Sequence, residues 1–230
     1  MNIFAIGDLH LPGGEDKPMD VFSDKWANHQ EQIKRAWQSS VKEEDLVLVP
    51  GDFSWAMQLE KTREDFLYLD ALPGRKIMIR GNHDYWWNSL AKVRAFLPAS
   101  VKALQNDSFS FENVHIAGTR GWSCPGTANF TQDDKKIYER EVGRLALSLK
   151  PVSKLQGLKI VMLHYPPFND KHEKSGFSEL IKEASIDIAV YGHLHGFACK
   201  NAFEGERDGT SYHLVSADHV RFAPKWIATI

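Results

Sequence analysis

Four times in this chain an apolar run ends in glycine and is followed at once by a side chain able to bind metal. The four are Ile6-Gly7-Asp8, Val49-Pro50-Gly51-Asp52, Ile79-Arg80-Gly81-Asn82 and Val190-Tyr191-Gly192-His193. The glycines fall at irregular intervals, so this is no sequence repeat. It reads as four strands of one sheet delivering side chains to one rim, the carboxyl-end rim where α/β sheets bind ligands. Glycine there permits a sharp turn and leaves room for something to approach the backbone.

The rest of the chain alternates between strand-like and helical patterns. Strands are expected over Asn2–Ile6, Leu46–Val49, Lys76–Arg80, Val101–Leu104, Ser108–Glu112, Val114–Gly118, Lys159–Leu163, Ile186–Val190 and Tyr212–Ser216. Helices are expected over Ser23–Ser39 with Ser23 as N-cap, Lys61–Leu72, Trp86–Leu97, Gln132–Leu149 and Phe177–Ala184. With no linker or low-complexity tract, residues 1–230 are expected to form one domain.

Composition narrows the function classes. Lys plus Arg number 28 against 30 Asp plus Glu, a net of −2. That balance supplies no basic field for long nucleic acid and no polybasic membrane patch. Two cysteines, Cys124 and Cys199, make no disulfide framework, and a reducing cytoplasm is the simpler compartment. No apolar run reaches the ~18 residues of a membrane span. Asp8 and His10 come so early that a cleaved leader would remove them, so none is expected.

Asp8 and His10 stand two residues apart, as do His193 and His195 in Gly-His-Leu-His-Gly. At a strand end this spacing puts both side chains on one side, where one ion can take both. Singly, each candidate has a plainer reading: Asp52 as an Asx turn, Asp84 as the cap of the next helix, His164 as a satisfied core histidine. Jointly they do not, because five of the ten histidines fall at strand ends beside these acids, amides and glycines. Asp8, His10, Asp52, Asn82, His164, His193 and His195 form a set of seven N and O donors, too many for one ion and suited to two. Donors without thiolate fit Mn, Fe, Zn or Co. Two divalent cations, two carboxylates and one hydroxide leave a net charge of about +1, which draws in a phosphate.

The ordered set Gly-Asp-Leu-His at 7–10, Gly-Asp at 51–52, Gly-Asn-His-Asp at 81–84, His164 and Gly-His-Leu-His at 192–195 resembles the calcineurin-like metallophosphoesterase superfamily. The resemblance spans residues 7 to 195. It implies an α/β fold, a four-layer αββα sandwich of two mixed sheets flanked by helices, with a dimetal site at the strands' carboxyl ends. It implies one metal on Asp8, His10 and His195, a second on Asn82, His164 and His193, and Asp52 bridging them. His83 would lie near the leaving group and Asp84 would orient it. The metals expected are divalent transition ions, with Mn or Fe favoured. The reaction expected is hydrolysis of a small-molecule phosphoester by a metal-bridging hydroxide, with a diester favoured slightly over a monoester.

The chain also departs from relatives. Ser/Thr protein phosphatases carry Asp-Arg where this chain has Trp55-Ala56, and Glu where it has Asp84, which removes support for that activity. Two-domain nucleotidases and DNA-repair nucleases with an accessory domain need more chain than 230 residues, so neither is expected. A non-catalytic scaffold binding a protein partner is the rival from another class, and the intact donor set with His83 and Asp84 opposes it. Around the motifs, Phe53, Trp55, Tyr85, Trp86, Trp87 and Phe168 divide between core and a stacking wall. Arg120 is a candidate phosphate contact and residues 169–176 a candidate overhang, although a surface arginine and a solvated loop are the simpler readings. His29, His115, His172, His213 and His219 read as structural.

Overall fold

Strands buried on both faces must be apolar throughout, and the runs Asn2–Ala5 (β1) and Leu46–Val49 (β2) meet that condition almost residue for residue. In the computed structural model, which describes residues 1–14 and 17–230, these strands and Arg75–Met78 (β3) and Val101–Ala103 (β4) lie parallel. Lys225–Thr229 (β11) adds an antiparallel edge beside β1, giving the order β11-β1-β2-β3-β4. A second sheet contains Ser108–Phe111 (β5), Val114–Thr119 (β6), Leu158–Leu163 (β7), Ile188–Tyr191 (β8), Gly205–Arg207 (β9) and Thr210–Leu214 (β10). Its order is β5-β6-β7-β8-β10-β9, with a parallel centre and antiparallel edges.

Successive side chains on a strand point to opposite faces, and the burial pattern sorts by that alternation into three apolar layers. Ile3, Ala5, Leu46, Leu48 and Ile77 of one sheet meet Ile116, Ile160, Met162 and Val190 of the other. On the outer face of the first sheet, Phe4, Val47, Val49 and Met78 pack with Ile33 and Trp37 of α1 (His29–Ser40), Phe66 and Leu69 of α2 (Arg63–Asp70) and Val93 of α3 (Leu90–Phe96). On the outer face of the second, Val161, Leu163, Ala189 and Tyr212 pack with Leu145 and Leu149 of α4 (Gln132–Leu149) and Phe177 and Ile181 of α5 (Gly176–Glu183). The result is a four-layer αββα sandwich of two mixed sheets.

Several local expectations need correction. The Gly-ended strands belong to two sheets, β1, β2 and β3 to one and β8 to the other, so the common rim is formed where the two sheets abut. The helix expected from Ser23 is split: Asp24–Trp26 is a single 3-10 turn capped by Ser23, and α1 starts at His29 because Asn28 adopts φ 53. The helix expected from Trp86 starts only at Leu90. Trp86 and Trp87 sit in the preceding turn, both rings buried, with their N–H groups donated to Asp84 and Gln105.

Leu48 is fully buried between the sheets. Leu48→Ala is expected to cost about 2–5 kcal/mol by leaving a cavity in a layer that cannot collapse, measured by urea unfolding; a loss below about 1 kcal/mol would contradict the shared core.

Candidate metal centre

The two rims are held together by hydrogen bonds made by the candidate residues themselves. The loops after β1 and β2 run side by side, with Asp8 N donating to the Gly51 carbonyl (2.9 Å) and His10 N to that of Asp52 (3.0 Å). Across to the other sheet, the Asp8 carboxylate accepts from His193 N (3.1 Å), and His164 Nδ1 lies 3.0 Å from the Pro50 carbonyl. Asp52 Oδ1 accepts from His83 N at 2.8 Å, which ties in the loop after β3.

Four of the seven donor residues, Asp8, His10, Asp52 and His193, have φ between 45° and 74°. Non-glycine residues rarely adopt this left-handed region, and such strain concentrates at functional sites. Glycine is needed at two points of close approach. A Cβ on Gly81 would lie 2.1 Å from Asp52 Oδ1, and one on Gly192 would lie 2.3 Å from Asp8 Oδ2.

All seven predicted donors converge. Asp8, His10 and His195 offer ligand atoms within 4.8 Å of one another, with His195 Nε2 at 3.4 Å from His10 Nε2 and 3.5 Å from Asp8 Oδ1. Asn82 Oδ1 lies 2.6 Å from His164 Nε2 and 3.0 Å from His193 Nδ1, a second focus. Asp52 Oδ2 stands between them, 3.8 Å from His10 Nε2 and 3.6 Å from His164 Nε2. Asp8 also borders both, forming a group of its own with Asp52 and His164.

The electrostatics of these residues fit a cation. Asp8 and Asp52 are buried carboxylates facing one site. Burial and the charge of Asp8 push Asp52 up to about 8. Burial also acts to raise Asp8, but a hydrogen bond from His195 and the nearby imidazoles outweigh it and hold Asp8 well below the usual carboxylate range. Burial brings His10 and His193 down to about 3, so both are neutral and keep a lone pair for a metal. A carbonyl can only accept, so His164 carries its proton on Nδ1 toward Pro50 and leaves Nε2 free to ligate. His10 Nδ1 is buried with no hydrogen-bond partner among the described residues.

Asp218 escaped the sequence reading, because nothing in one sequence pairs it with a residue 23 positions earlier. Its Oδ1 accepts from His195 Nδ1 at 2.9 Å and its Oδ2 from Gly196 N at 2.8 Å, which fixes the ring with Nε2 toward Asp8. Burial works against a charged His195, but the bonds to Asp218 and Asp8 prevail and hold it up at about 10. A protonated His195 thus occupies the place where positive charge is required. The role implied for Asp84 needs correction. Its buried carboxylate accepts from Phe53 N (2.9 Å), Ser54 N (3.2 Å), Gly81 N (2.7 Å) and Trp86 Nε1 (3.1 Å). His83 Nδ1 has no partner among the described residues. Asp84 therefore fixes the two loops carrying Asp52 and His83 and does not grip the imidazole.

Of the aromatics, Phe53, Trp86, Trp87 and Phe168 are core, whereas Trp55 stacks on His10 at 4.7 Å and packs on His83. Arg120 is engaged by Glu141 at 3.4 Å and by the Trp122 ring. The 169–176 segment is anchored by Asn169 to the Pro125 carbonyl and by His172 to that of Asn201, and it does not line the cavity at the cluster. His115, His172, His213 and His219 pair with other groups. His29, read as structural, donates to the His10 carbonyl at 3.3 Å and so braces the site directly.

Asp218→Ala is expected to weaken divalent metal binding by about 10–100-fold while leaving the fold intact, read by titration calorimetry with Mn²⁺; unchanged affinity would deny Asp218 a positioning role.

A family model described as calcineurin-like phosphoesterase matches residues 1–197. No curated protein matches the chain. Among solved structures, AQ665 of Aquifex aeolicus, titled a protein of unknown function, is 16% identical over 98% of this chain and 95% of its own, with a TM-score of 0.54. Phosphopantetheinyl hydrolase (PptH) of Mycobacterium tuberculosis is 13% identical over 100% and 96%, with a TM-score of 0.56. GAP50 of Plasmodium, titled the anchor in the inner membrane complex, is 13% identical over 94% and 71%, with a TM-score of 0.52. At these identities the likeness is one of fold.

Proposed function

The chain belongs to the calcineurin-like phosphoesterase family and is a hydrolase of phosphoester bonds, and from that premise we propose that it cleaves a small phosphodiester at a centre of two divalent transition metals, Mn or Fe favoured. Asp8, His10 and His195 would hold one ion, Asn82, His164 and His193 the other, and Asp52 would lie between. The observation that carries this reading is the single Asp52 oxygen within 4 Å of a ligating nitrogen in each cluster. Bound there, two such ions supply Lewis acidity and a water made acidic enough to yield hydroxide near neutral pH.

The protein's own side chains account for the remaining requirements. Asn82 offers a neutral oxygen, so it binds without cancelling the positive charge that attracts a phosphate. His83 lines the cavity, and burial together with neighbouring His164 lowers its pKa. A neutral imidazole at that place donates its ring N–H to the departing oxygen and disperses charge there. Trp55, stacked on His10 and packed on His83, keeps both rings in place and excludes water from one side. Phosphodiester is supported over monoester because no Lys or Arg is among the described residues lining the cavity to meet a second negative charge.

The reading extends to one domain over 1–230, supported by the apolar layer that the two sheets share. It extends also to the cytoplasm, supported by free Cys124 and Cys199. No helix among the described residues is long and apolar enough to cross a membrane.

The test is hydrolysis of bis-p-nitrophenyl phosphate and p-nitrophenyl phosphate by Mn²⁺-loaded protein. Metal-dependent turnover favouring the diester is expected, with Asp52→Asn inactive and His83→Ala lowered in kcat by about 10²–10⁴. Preferential turnover of the monoester would reverse the substrate assignment, and turnover that survives Asp52→Asn would remove the centre from the reaction.

A further inference from the structure

The cavity over the metal centre has a volume of about 170 Å³, and beyond Asp52 and the imidazoles its described walls are Met19, Phe22, Trp26 and Trp55. No hydroxyl, amide, lysine or arginine is among these described walls. Trp26 stands edge-on to His10 and His195, with ring centroids at 5.9 and 5.7 Å. Trp55 Nε1 donates to Met19 Sδ at 3.2 Å, which joins the two sides into one continuous apolar surface. Phe22, one of these walls, is 68% exposed. Lone exposed apolar residues are ordinary, but an exposed phenylalanine continuous with the buried Met19 and Trp26 wall of a cavity marks a binding surface.

A neighbouring, larger cavity of about 640 Å³ shares the Met19 and Trp26 wall. Its lysines, Lys17 and Lys34, are accompanied by Asp20 and Glu31, so it offers no surplus positive charge to a polyanionic substrate.

Resting on the reading above, we propose that the substrate is a singly charged phosphodiester carrying a flat apolar substituent next to phosphorus, seated against Phe22, Met19, Trp26 and Trp55. The phosphate would be recognised by the metal centre and its substituent by burial alone. Nucleoside polyphosphates and sugar phosphates, whose extra charges and hydroxyls meet only Lys17, over the Trp55 ring, among the described residues beside this wall, are expected to be poorer substrates.

The experiment compares the binding of diphenyl phosphate and dimethyl phosphate to Mn²⁺-loaded protein by titration calorimetry. Both carry one negative charge on the same phosphate core and differ in their apolar substituents. Diphenyl phosphate is expected to bind about tenfold tighter or more, and Phe22→Ser, at an exposed position, is expected to erase most of that preference. Equal affinities, no binding of either, or a preference untouched in Phe22→Ser would overturn the proposal. No preference for diphenyl phosphate in the unmutated protein, with its metal-dependent hydrolysis of bis-p-nitrophenyl phosphate intact, would sink this inference and leave the phosphodiesterase reading standing. The preference without metal-dependent hydrolysis would do the reverse.

Discussion

Two buried carboxylates, Asp8 and Asp52, face the same small space, and the fold around them follows from the need to neutralise them. Neither has a lysine or arginine partner among the described ion pairs; the contacts within 4 Å are imidazoles. Without a cation, Asp52 keeps a proton to about 8 and His195 holds one to about 10, the first avoiding a second negative charge and the second balancing those present. A divalent ion held by each cluster would resolve the same conflict without protons. Its binding therefore displaces protons from the site.

That conflict is sustained by a backbone that lets the rims of two sheets meet. The left-handed conformations of Asp8, His10, Asp52 and His193 bend the chain out of the extended strand at the rim where these side chains converge. Glycines 81 and 192 remove the Cβ atoms that would strike the carboxylates. Asp84, with four donors on its two oxygens, locks the β2 and β3 loops together, and Asp218 performs a related task for His195. The αββα core supplies rigidity behind these loops, and local strain at the site is tolerated because the shared apolar layer fixes the strand ends.

Much of this was legible in the sequence. Parallel strands buried on both faces are unbroken apolar runs, and the glycines that end four of them announce the rim, so the seven candidate donors, His164 among them directly after an apolar run, are legible together in the sequence. What was not legible depends on non-local geometry. The rim joins two sheets, which no run length reveals. β9 and β11 are short edge strands, and β11 pairs with β1 from the far end of the chain, leaving Trp226 exposed and only Ile227 well buried. Asn28 breaks the first helix by a backbone conformation that its neighbours do not announce. Asp218 and the Met19–Trp26 wall reach the site only because the chain folds back over it, and neither carries a local motif.

The most direct test of the account is a crystal structure of the Mn²⁺-loaded protein with anomalous diffraction data. Two peaks about 3.5–4 Å apart are predicted, one among Asp8, His10 and His195 and one among Asn82, His164 and His193, with the Asp52 carboxylate between them. A single peak, or peaks away from Asp52, would contradict it.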